Sequence, residues 1–521
     1  MKIKVLVCDS ISEAGLAPLK KDARFTFVQK GKLDSEEINA LIGDFDAVLL
    51  RSGTKIKREN LKKTEKLKII ARAGVGIDNI DIEAASEKGI LIINAPSGNT
   101  IAACEHTIAL IMCLARKIPQ ANQSTKSGAW DKKSFIGTEL AGKTAGIIGL
   151  GKIGAEVAKR LTSFEMNIIA YDPFVKQEDV TDLGIKMVQL DELFEKSDVV
   201  TMHVPKNKHT LNMLNMEALK KMKKTAMLVN CSRGGVVNED DLLKALSSGI
   251  INSAALDVFD KEPLERDDLR KPDNLIITPH LGASTLEAQD KVALSVAEDI
   301  LRFFDGEIPE SACNFSSVKG AEGELKPFLT LAEKLGSAAS QISGSLDNLK
   351  FIYGERAMKL NLNAVKSAFL KGLLSQILDE KVNLISALPI ARKRNILWDD
   401  FENPKEKFVD ALGIETADLS LKGRVAADGA RFFECNGFEC DIKVGGNELI
   451  LSNEDIPGII GKVGTILGNA NVNIASMDVA RNKKGGRALT IIKLDEKPLP
   501  ETLAEIEKIK GISSIKLIFI A

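Results

Sequence analysis

The chain has 521 residues, too many for one ordinary hydrophobic core, and this length predicts three or four domains. Its 71 lysines and arginines balance 72 aspartates and glutamates, which argues against nucleic-acid and membrane partners, and no apolar run approaches the roughly 20 residues that cross a bilayer. The seven cysteines are scattered and never spaced C-x-x-C, which argues against a disulfide framework and a zinc site and favours a reducing cytoplasm.

The first part of the chain alternates short apolar runs with helical patterns, which is typical of an α/β layer fold. Two glycine-containing loops, residues 51–54 (RSGT) and 73–81 (AGVGIDNID), each follow a predicted strand. Such folds bind ligands in loops at the carboxyl ends of parallel strands, but Gly, Ser, Asn and Asp are also ordinary turn residues. The residues alone leave both interpretations open. The predicted strands of this part cover residues 2–9, 25–29, 46–50, 67–71 and 90–94.

A long helical pattern over residues 99–116 suggests a domain junction, and the chain then enters a G-x-G-x-x-G turn. The glycines are Gly149, Gly151 and Gly154, with an apolar run before them, a helical pattern after them and a second strand over residues 167–172. In a βαβ unit of this kind the first glycine makes the turn, the second lets a pyrophosphate approach, and the third lets helix and strand pack closely. The motif predicts a dinucleotide site at the start of the helix.

The second strand of this unit ends in Asp172. A carboxylate at that position accepts hydrogen bonds from the ribose hydroxyls and repels a 2′-phosphate. Pro173 and Phe174 follow, where an NADP-dependent enzyme would more often have an arginine. The sequence therefore favours NAD as the cofactor. The alternative is a turn aspartate in a sheet that binds no nucleotide.

Further strands, predicted at residues 198–203, 226–230, 253–257 and 275–278, alternate with helices and indicate a doubly wound parallel sheet. A long helix is predicted over residues 283–304.

The chain has only four histidines, which narrows the search for an acid/base group. His280 directly follows a predicted strand and is the best candidate. His203, also at a strand end, is expected near the cofactor, whereas His106 is expected to have a packing or surface role on its helix and His209 to be solvated. Position alone leaves open a structural role for His280, which is the commoner role of a single histidine.

Two charged loops supply partners for His280. Arg233 lies in NCSRGG (residues 230–235), beside glycines, where a guanidinium can pair with a carboxylate through two hydrogen bonds. Glu262 follows the next strand and could hold the His280 ring in one tautomer. Either residue alone would more simply be an exposed loop charge. Their appearance at successive strand ends favours a shared site.

Beyond residue 314 the pattern changes to a mixture of helices, predicted at 327–343 and 364–378, and β-like runs. Gly445-Gly446-Asn447 is typical of a hinge. Residues 448–521 then show the order βαββαβ, which predicts a ferredoxin-like module.

Five motifs, in this order, resemble those of the D-isomer-specific 2-hydroxyacid dehydrogenase family over residues 1 to about 312. The resemblance implies a Rossmann-like NAD-binding domain (98–282) and a discontinuous, flavodoxin-like substrate-binding domain (1–97 and 283–312). The motifs are AGVGIDN (73–79), GLGKIG (149–154), NCSRGG (230–235), DVF (257–259) and PHLG (279–282).

The C-terminal module resembles an ACT domain through NEDIPG (453–458) and NVNI (471–474). The chain is therefore similar to long members of the family, which implies an α+β intervening domain over residues 315–445 and an ACT regulatory domain over 448–521.

The resemblance also assigns roles to individual residues. Arg233, Glu262 and His280 form the implied catalytic set, and no metal is implied. The implied cofactor contacts are Gly149, Gly151, Lys152, Ile153, Gly154, Asp172, His203, Val204, Pro205, Cys231, Ser232, Arg233, Asp257, His280, Gly282 and Ala283. The implied substrate contacts are Arg51, Ser52, Gly74, Val75, Asn99, Lys132, Arg233 and His280.

For a long member, the resemblance implies NAD-dependent oxidation of 3-phospho-D-glycerate to 3-phosphohydroxypyruvate, the first step of the phosphorylated route to L-serine. It implies feedback by L-serine through Asn453, Asp455 and Asn473, at an interface between ACT modules of a homodimer or homotetramer.

Two alternatives stay open at this point. The substrate could be another 2-hydroxy acid, such as glycerate, a 2-hydroxyglutarate or erythronate 4-phosphate. The same scaffold could also serve as a non-catalytic, NADH-sensing interaction protein, although the set of Arg233, Glu262 and His280 argues against that role.

Overall fold

Four β-sheets organise the computed structural model, which describes residues 2–315, 322–379 and 381–521. Met1 of the first predicted domain, and residues 316–321 and 380 of the predicted intervening domain, lie outside the described residues. None of the helices in the described part of the chain combines the length and apolar character needed to cross a membrane.

The first sheet is parallel, in the order β2-β1-β3-β4-β5. The Val, Ile and Leu residues of its other four strands are mostly buried, as in parallel strands covered on both faces, whereas the edge strand β2 is partly exposed. The elements are β1 (Ile3–Val7), α1 (Glu13–Lys21), β2 (Phe25–Gln29), α2 (Ser35–Leu41), β3 (Ala47–Leu50), β4 (Ile69–Arg72), α3 (Ile82–Glu87) and β5 (Leu91–Asn94). The five strands predicted for this part of the chain are confirmed.

A helix from much later in the chain, α10 (Leu286–Phe304), packs against α1. The two helices approach so closely that a Cβ on Gly15 would lie 2.3 Å from the Cβ of Ala293. The prediction that this helix starts at residue 283 is wrong, because the Thr285 hydroxyl accepts the Ala288 N–H and caps the helix there.

Two helices, α4 (Thr100–Arg116) and α5 (Ile118–Lys126), lead from the first sheet to the second. The second sheet is parallel, in the order β12-β11-β10-β9-β6-β7-β8. Its strand order reverses at β6 and β9, and doubly wound sheets bind ligands at such a reversal. The elements are β6 (Thr144–Ile148), α6 (Lys152–Ser163), β7 (Asn167–Tyr171), β8 (Lys186–Met187), α7 (Leu190–Lys196), β9 (Val199–Met202), α8 (Met216–Lys221), β10 (Met227–Asn230), α9 (Glu239–Ser247), β11 (Ser253–Leu256) and β12 (Leu275–Ile277).

The third sheet is mixed, in the order β14-β13-β15-β16-β17-β18, and only β13 and β14 run parallel in it. The predicted helix over 364–378 is shorter than expected and ends at Leu374. The elements are α11 (Glu322–Ile342), β13 (Leu349–Tyr353), α12 (Glu355–Met358), α13 (Leu362–Leu374), α14 (Ala387–Lys393), β14 (Trp398–Glu402), β15 (Ala411–Glu415), β16 (Ser420–Ala426), β17 (Gly429–Cys435) and β18 (Phe438–Lys443).

The fourth sheet is antiparallel, in the order β20-β21-β19-β22, and confirms the predicted βαββαβ module. Its elements are β19 (Gly446–Glu454), α15 (Ile459–Asn469), β20 (Ile474–Arg481), β21 (Arg487–Leu494), α16 (Pro500–Glu507) and β22 (Ile512–Ile520).

The side-chain amide of Gln341 joins α11 to this sheet. It donates to the Phe519 carbonyl at 2.9 Å and accepts the Phe519 N–H at 2.9 Å.

Candidate active site

The glycine turn after β6 has the geometry that its three glycines predict. Gly149 has φ +90°, and a Cβ there would lie 2.7 Å from the His203 carbonyl oxygen. A Cβ on Gly154 would lie 2.1 Å from the Gly149 carbonyl oxygen, so helix and turn are in direct contact. A Cβ on Gly151 would meet no atom within 4 Å. The turn therefore leaves open space beside the N-terminus of α6, where a pyrophosphate could approach the backbone.

Asp172 is fixed against this turn. Its Oδ2 accepts the Leu150 N–H at 2.9 Å, and its Oδ1 accepts the Phe174 N–H at 2.9 Å. Each oxygen keeps a further lone pair for a ligand hydroxyl. The structure thus brings the predicted ribose-binding carboxylate next to the predicted phosphate-binding turn.

His280 and Glu262 form the direct pair that the sequence suggested. The Nδ1 atom of His280 lies 2.7 Å from Oε2 of Glu262, and Oε1 of Glu262 accepts the Phe259 N–H. Partial burial raises the pKa of Glu262, but the hydrogen bond and charge of His280 outweigh burial and hold that pKa below its ordinary value. The ionised glutamate keeps the proton on Nδ1, so the lone pair of neutral His280 is on Nε2.

Arg233 contacts the glycine-containing loop after β4. Its Nε donates to Oδ2 of Asp78 at 2.9 Å, and its side chain is 28% exposed. A Cβ on Gly76 would lie 2.0 Å from a terminal nitrogen of Arg233, so a side chain at this position would displace the guanidinium. Two motifs that lie far apart in the sequence are therefore in contact.

Arg72, the last residue of β4, is a cation that the sequence analysis missed. Burial lowers its pKa to about 10, and repulsion from Arg233 and Arg51 acts in the same direction. Its Nε atom is buried without a hydrogen-bond partner among the described residues. Two other guanidiniums therefore repel Arg72, whereas Asp78 and Asp9 attract it, and its Nε is an unused donor in the described structure. The feature of the sequence that could have identified Arg72 is its position at the end of an apolar strand, directly before a glycine-containing loop.

Other predicted substrate residues follow the carboxyl ends of β3, β4 and β5. Arg51 follows β3 and donates from its guanidinium to the Ser10 carbonyl at 3.1 Å, and Ser52 is next to it. Gly74 and Val75 follow Arg72, and the Val75 carbonyl accepts a hydrogen bond from Asn94. The Oδ1 atom of Asn99, at the start of α4, is buried without a partner in the described structure.

Lys132 is not brought to this group. It is exposed in the segment after α5, and no hydrogen bond or ion pair of the described residues joins it to the arginines.

The remaining cofactor candidates line the ends of β9 to β12. His203 follows β9 and contacts the Thr201 hydroxyl at 3.1 Å, and burial lowers its pKa to about 4, so its ring is neutral at pH 7. Cys231 and Ser232 follow β10, and burial raises the pKa of the Cys231 thiol to about 12. Asp257, fully buried, accepts the Gly282 N–H at 2.8 Å. Val204 and Pro205 follow His203, and Ala283 follows Gly282. Two further candidates, Lys152 and Ile153, lie in the first turn of α6, beside the glycine turn.

The predicted effector residues do not meet within one chain. Asn453 is buried and bonded to the Thr490 hydroxyl, and Asp455 accepts from Arg481 and the Gly485 N–H. Asn473 instead donates to Asp495, beyond the far end of β21. The strand register separates these positions by roughly 20 Å at about 3.3 Å per residue.

Across the described ranges, no group of three or more His, Cys, Asp or Glu side chains is placed to hold a metal ion.

Comparison with known proteins matches three parts of the chain to family models. Residues 108–282 match the D-isomer specific 2-hydroxyacid dehydrogenase NAD binding domain, residues 324–431 the D-3-phosphoglycerate dehydrogenase intervening domain, and residues 448–511 the ACT domain. The predicted fold class and the NAD cofactor are confirmed by these matches.

Curated relatives align with nearly the whole chain. The D-3-phosphoglycerate dehydrogenase of Archaeoglobus fulgidus is 42% identical over 98% of this chain and 98% of its own length. That of Methanocaldococcus jannaschii is 42% identical over 99% of this chain and 98% of its own. Among solved structures, the TT0316 protein from Thermus thermophilus is 30% identical, with a TM-score of 0.56 over 60% of this chain and 99% of that one. The chain therefore belongs to the D-3-phosphoglycerate dehydrogenase family, within the D-isomer-specific 2-hydroxyacid dehydrogenases.

Proposed function

We propose that the chain oxidises 3-phospho-D-glycerate to 3-phosphohydroxypyruvate with NAD, as the first step of the phosphorylated route to L-serine. The observation that carries the proposal is the His280–Glu262 hydrogen bond, together with the position of Arg233, because the three residues lie in the loops that follow β12, β11 and β10, neighbouring strands of one parallel sheet. The similarity to D-3-phosphoglycerate dehydrogenases over the whole chain supports it and does not favour the alternatives.

The arginines supply the charge that this substrate needs. A carboxylate and a phosphate together carry about three negative charges at neutral pH, and Arg51, Arg72 and Arg233 supply three positive ones. We assign the substrate carboxylate to Arg233, whose planar guanidinium suits bidentate pairing. Arg51, Ser52, Gly74, Val75 and Asn99 would hold the rest of the substrate, and Arg72 would serve the phosphate. Because Lys132 is not brought to the arginines of its own chain, it would reach the phosphate only from a partner subunit.

The glycine turn fits the cofactor. The space beside Gly151 and the free N–H groups of α6 suit a pyrophosphate, and Asp172 suits the ribose hydroxyls. The other contacts would come from Lys152, Ile153 and the loops after β9 to β12. NAD, when bound, supplies the hydride acceptor.

His280 would act as the base. Its Nε2 takes the proton of the 2-hydroxyl while the hydride leaves C2, which turns the carbon–oxygen single bond into a carbonyl. Glu262 stabilises the imidazolium that forms and holds the ring in one orientation. Arg233 keeps the substrate carboxylate, and with it C2, in a fixed position.

We further propose the four-domain division given above and a cytoplasmic setting, which the seven free cysteines support. L-serine is the proposed effector of the ACT domain. Because Asn473 lies at the opposite end of the ACT sheet from Asn453 and Asp455, one serine could contact both groups only between two chains. This arrangement supports a homodimer or homotetramer.

Steady-state kinetics test these assignments. The full chain is assayed with NAD and 3-phospho-D-glycerate, D-glycerate or a 2-hydroxyglutarate, with and without L-serine. We expect the phosphorylated substrate to give the highest kcat/KM, serine to lower the rate, and His280→Ala to lower kcat by about 10²–10⁴-fold. His209→Ala, which changes an exposed histidine, is the control. Equal rates for the wild type and His280→Ala would reject the mechanism, and a flat serine titration would reject the effector.

A further inference from the structure

Asp257 is a fully buried carboxylate that gathers four donors at the end of β11. Its Oδ2 accepts the Gly282 N–H at 2.8 Å. Its Oδ1 accepts the Leu281 N–H at 2.7 Å, the Thr278 hydroxyl at 2.6 Å and Nε2 of His106 at 3.1 Å. A buried charge is tolerated only when hydrogen bonds replace its lost hydration, and here every bond has a defined partner.

Three of these donors belong to the loop over residues 278–282, which carries His280 at its centre. The backbone of His280 has φ +57°, a left-handed conformation that is uncommon for a residue with a side chain. The His280 N–H also turns back to the Thr278 carbonyl at 3.0 Å. Such a conformation persists only where surrounding contacts hold it, and the bonds to Asp257 hold it on both sides.

The fourth donor comes from a different element. His106 lies on α4, and its Nε2 is 3.1 Å from Asp257 and 3.2 Å from the Thr278 hydroxyl. The other partners of Asp257 are two backbone amides and a hydroxyl, so among these four donors His106 is the one that can carry a positive charge. It therefore links α4 to the loop that holds His280.

The charge state of Asp257 depends on this arrangement. Burial raises the pKa of Asp257, but the hydrogen bonds from His106, Thr278 and Leu281 outweigh burial and hold it below its ordinary value. The other titratable groups nearby are Cys231 after β10, Glu262 in the next loop and His280 itself.

We propose that His106 is a positioning residue for the oxidation: through Asp257 it keeps the 278–282 loop in the left-handed turn that presents His280 to the substrate. This inference rests on the proposed function, because it assigns a support for the proposed base.

Two substitutions at His106 separate positioning from simple packing. His106→Leu removes the donor, whereas His106→Gln keeps a side-chain N–H at a similar reach. We expect His106→Leu to lower kcat about tenfold, the effect of a lost hydrogen bond to a charged group, with KM for 3-phospho-D-glycerate changed less than about threefold. We expect His106→Gln to recover most of kcat, and His209→Leu, at an exposed position, to match the wild type.

The pH profile of kcat gives a readout that packing would not move. The profile is measured for the reverse reaction, the reduction of 3-phosphohydroxypyruvate by NADH, in which His280 must carry its proton and so does not set the acid limb. With one donor fewer, Asp257 gains its proton at higher pH, so the acid limb of His106→Leu moves upward while that of His106→Gln stays near the wild type. Thr278→Val removes another donor to the same oxygen without changing side-chain shape, and its acid limb should move the same way. This variant keeps the test valid if His106→Leu fails to fold.

The outcomes that count against each idea differ. A wild type without turnover would reject the proposed function. If the wild type turns over but His106→Gln is as slow as His106→Leu, the role of His106 is overturned and the proposed function is not. The same conclusion follows if the acid limbs of His106→Leu and Thr278→Val lie at the wild-type pH.

Discussion

Arg72 combines two features that oppose folding. Its guanidinium is largely buried beside Arg233 and Arg51, and its Nε has no partner in the described residues. Burial of the Arg72 charge destabilises the folded state. Repulsion from Arg233 and Arg51 adds to this effect, whereas attraction by Asp78 and Asp9 opposes it. A residue with such a conflict is expected where a ligand relieves it.

Replacing Arg72 should therefore separate stability from function. We expect Arg72→Met to raise the free energy of unfolding by about 1–2 kcal/mol, because the buried charge and its repulsion disappear. The same change should raise KM for 3-phospho-D-glycerate by about 10–100-fold, because a charge-assisted hydrogen bond is lost. Urea denaturation and steady-state kinetics measure the two effects.

The control for this prediction is Arg58→Met. Arg58 is about half exposed and pairs with Glu87 at 3.0 Å, so its loss should leave KM unchanged and give no gain in stability. A less stable Arg72→Met protein with unchanged KM would contradict the expectation.

Arg72 and His106 also mark the limit of sequence reasoning at this scale. Glu262 and His280 could be paired from sequence because each lies in the loop after a strand of one sheet. His106 was expected to have a packing or surface role on its helix, since its partner Asp257 is 151 residues away in the chain. The environment of Arg72 depends in the same way on residues from other strands. Burial and charge at a site are set by tertiary contacts, which local patterns do not encode.

At the level of elements, the glycine turn contains two glycines with different reasons to lack a side chain. Gly154 touches backbone, with a Cβ position 2.1 Å from the Gly149 oxygen, whereas the Cβ position of Gly151 is open. Gly151 also has φ −74°, which any residue can adopt. One glycine thus serves the fold, and the other leaves room for a ligand.

Alanine at each position should give opposite results. Gly154→Ala should lower the free energy of unfolding by about 2–3 kcal/mol, because helix α6 must move away from the turn. Gly151→Ala should change stability by less than about 0.5 kcal/mol but weaken NADH binding about tenfold or more. Thermal unfolding and NADH fluorescence titration test the pair. A stable Gly154→Ala protein, or full NADH affinity in Gly151→Ala, would contradict this division.

The elements themselves were predicted unequally well. The ACT module follows from the sequence because its strands are long and regular, and the Lys483–Gly486 segment supplies a turn between β20 and β21. The third sheet was only partly predicted. Its strand β14 has the sequence WDDFE and is mostly exposed at a sheet edge, so it lacks the apolar alternation that identifies a strand.

On the scale of the whole molecule, a buried carboxyl group lies at the junction of the third and fourth sheets. Glu448 is fully buried, its Oε1 accepts the Gly445 N–H at 2.9 Å, and its Oε2 has no partner among the described residues. Burial raises the pKa of Glu448 to about 7, although Lys493 on β21 and Lys334 on α11 oppose the rise. The hinge between the intervening and ACT sheets therefore contains a group that titrates near neutral pH.

This group makes stability depend on pH in a defined direction. Because its pKa is higher in the folded state than in the unfolded chain, its contribution is most favourable below about pH 4.5 and is lost as pH rises to about 7. Glu448→Gln should therefore raise the free energy of unfolding at pH 8 on the order of 2 kcal/mol and leave it unchanged at pH 4.

Urea denaturation at the two pH values measures this difference. Glu454→Gln, an exposed position on the same strand, should show no such dependence. A gain from Glu448→Gln that is equal at pH 4 and pH 8 would contradict the assignment.

The hydrogen bonds of the Gln341 amide also bear on non-native association between chains. Strand β22 is an outer strand of its sheet, and a free edge of this kind can template the addition of a strand from another molecule. Gln341 occupies both outward-facing backbone groups of Phe519, so a helix side chain fills the position that an invading strand would need at that end. The same two bonds that join α11 to the ACT sheet thus protect it against non-native association.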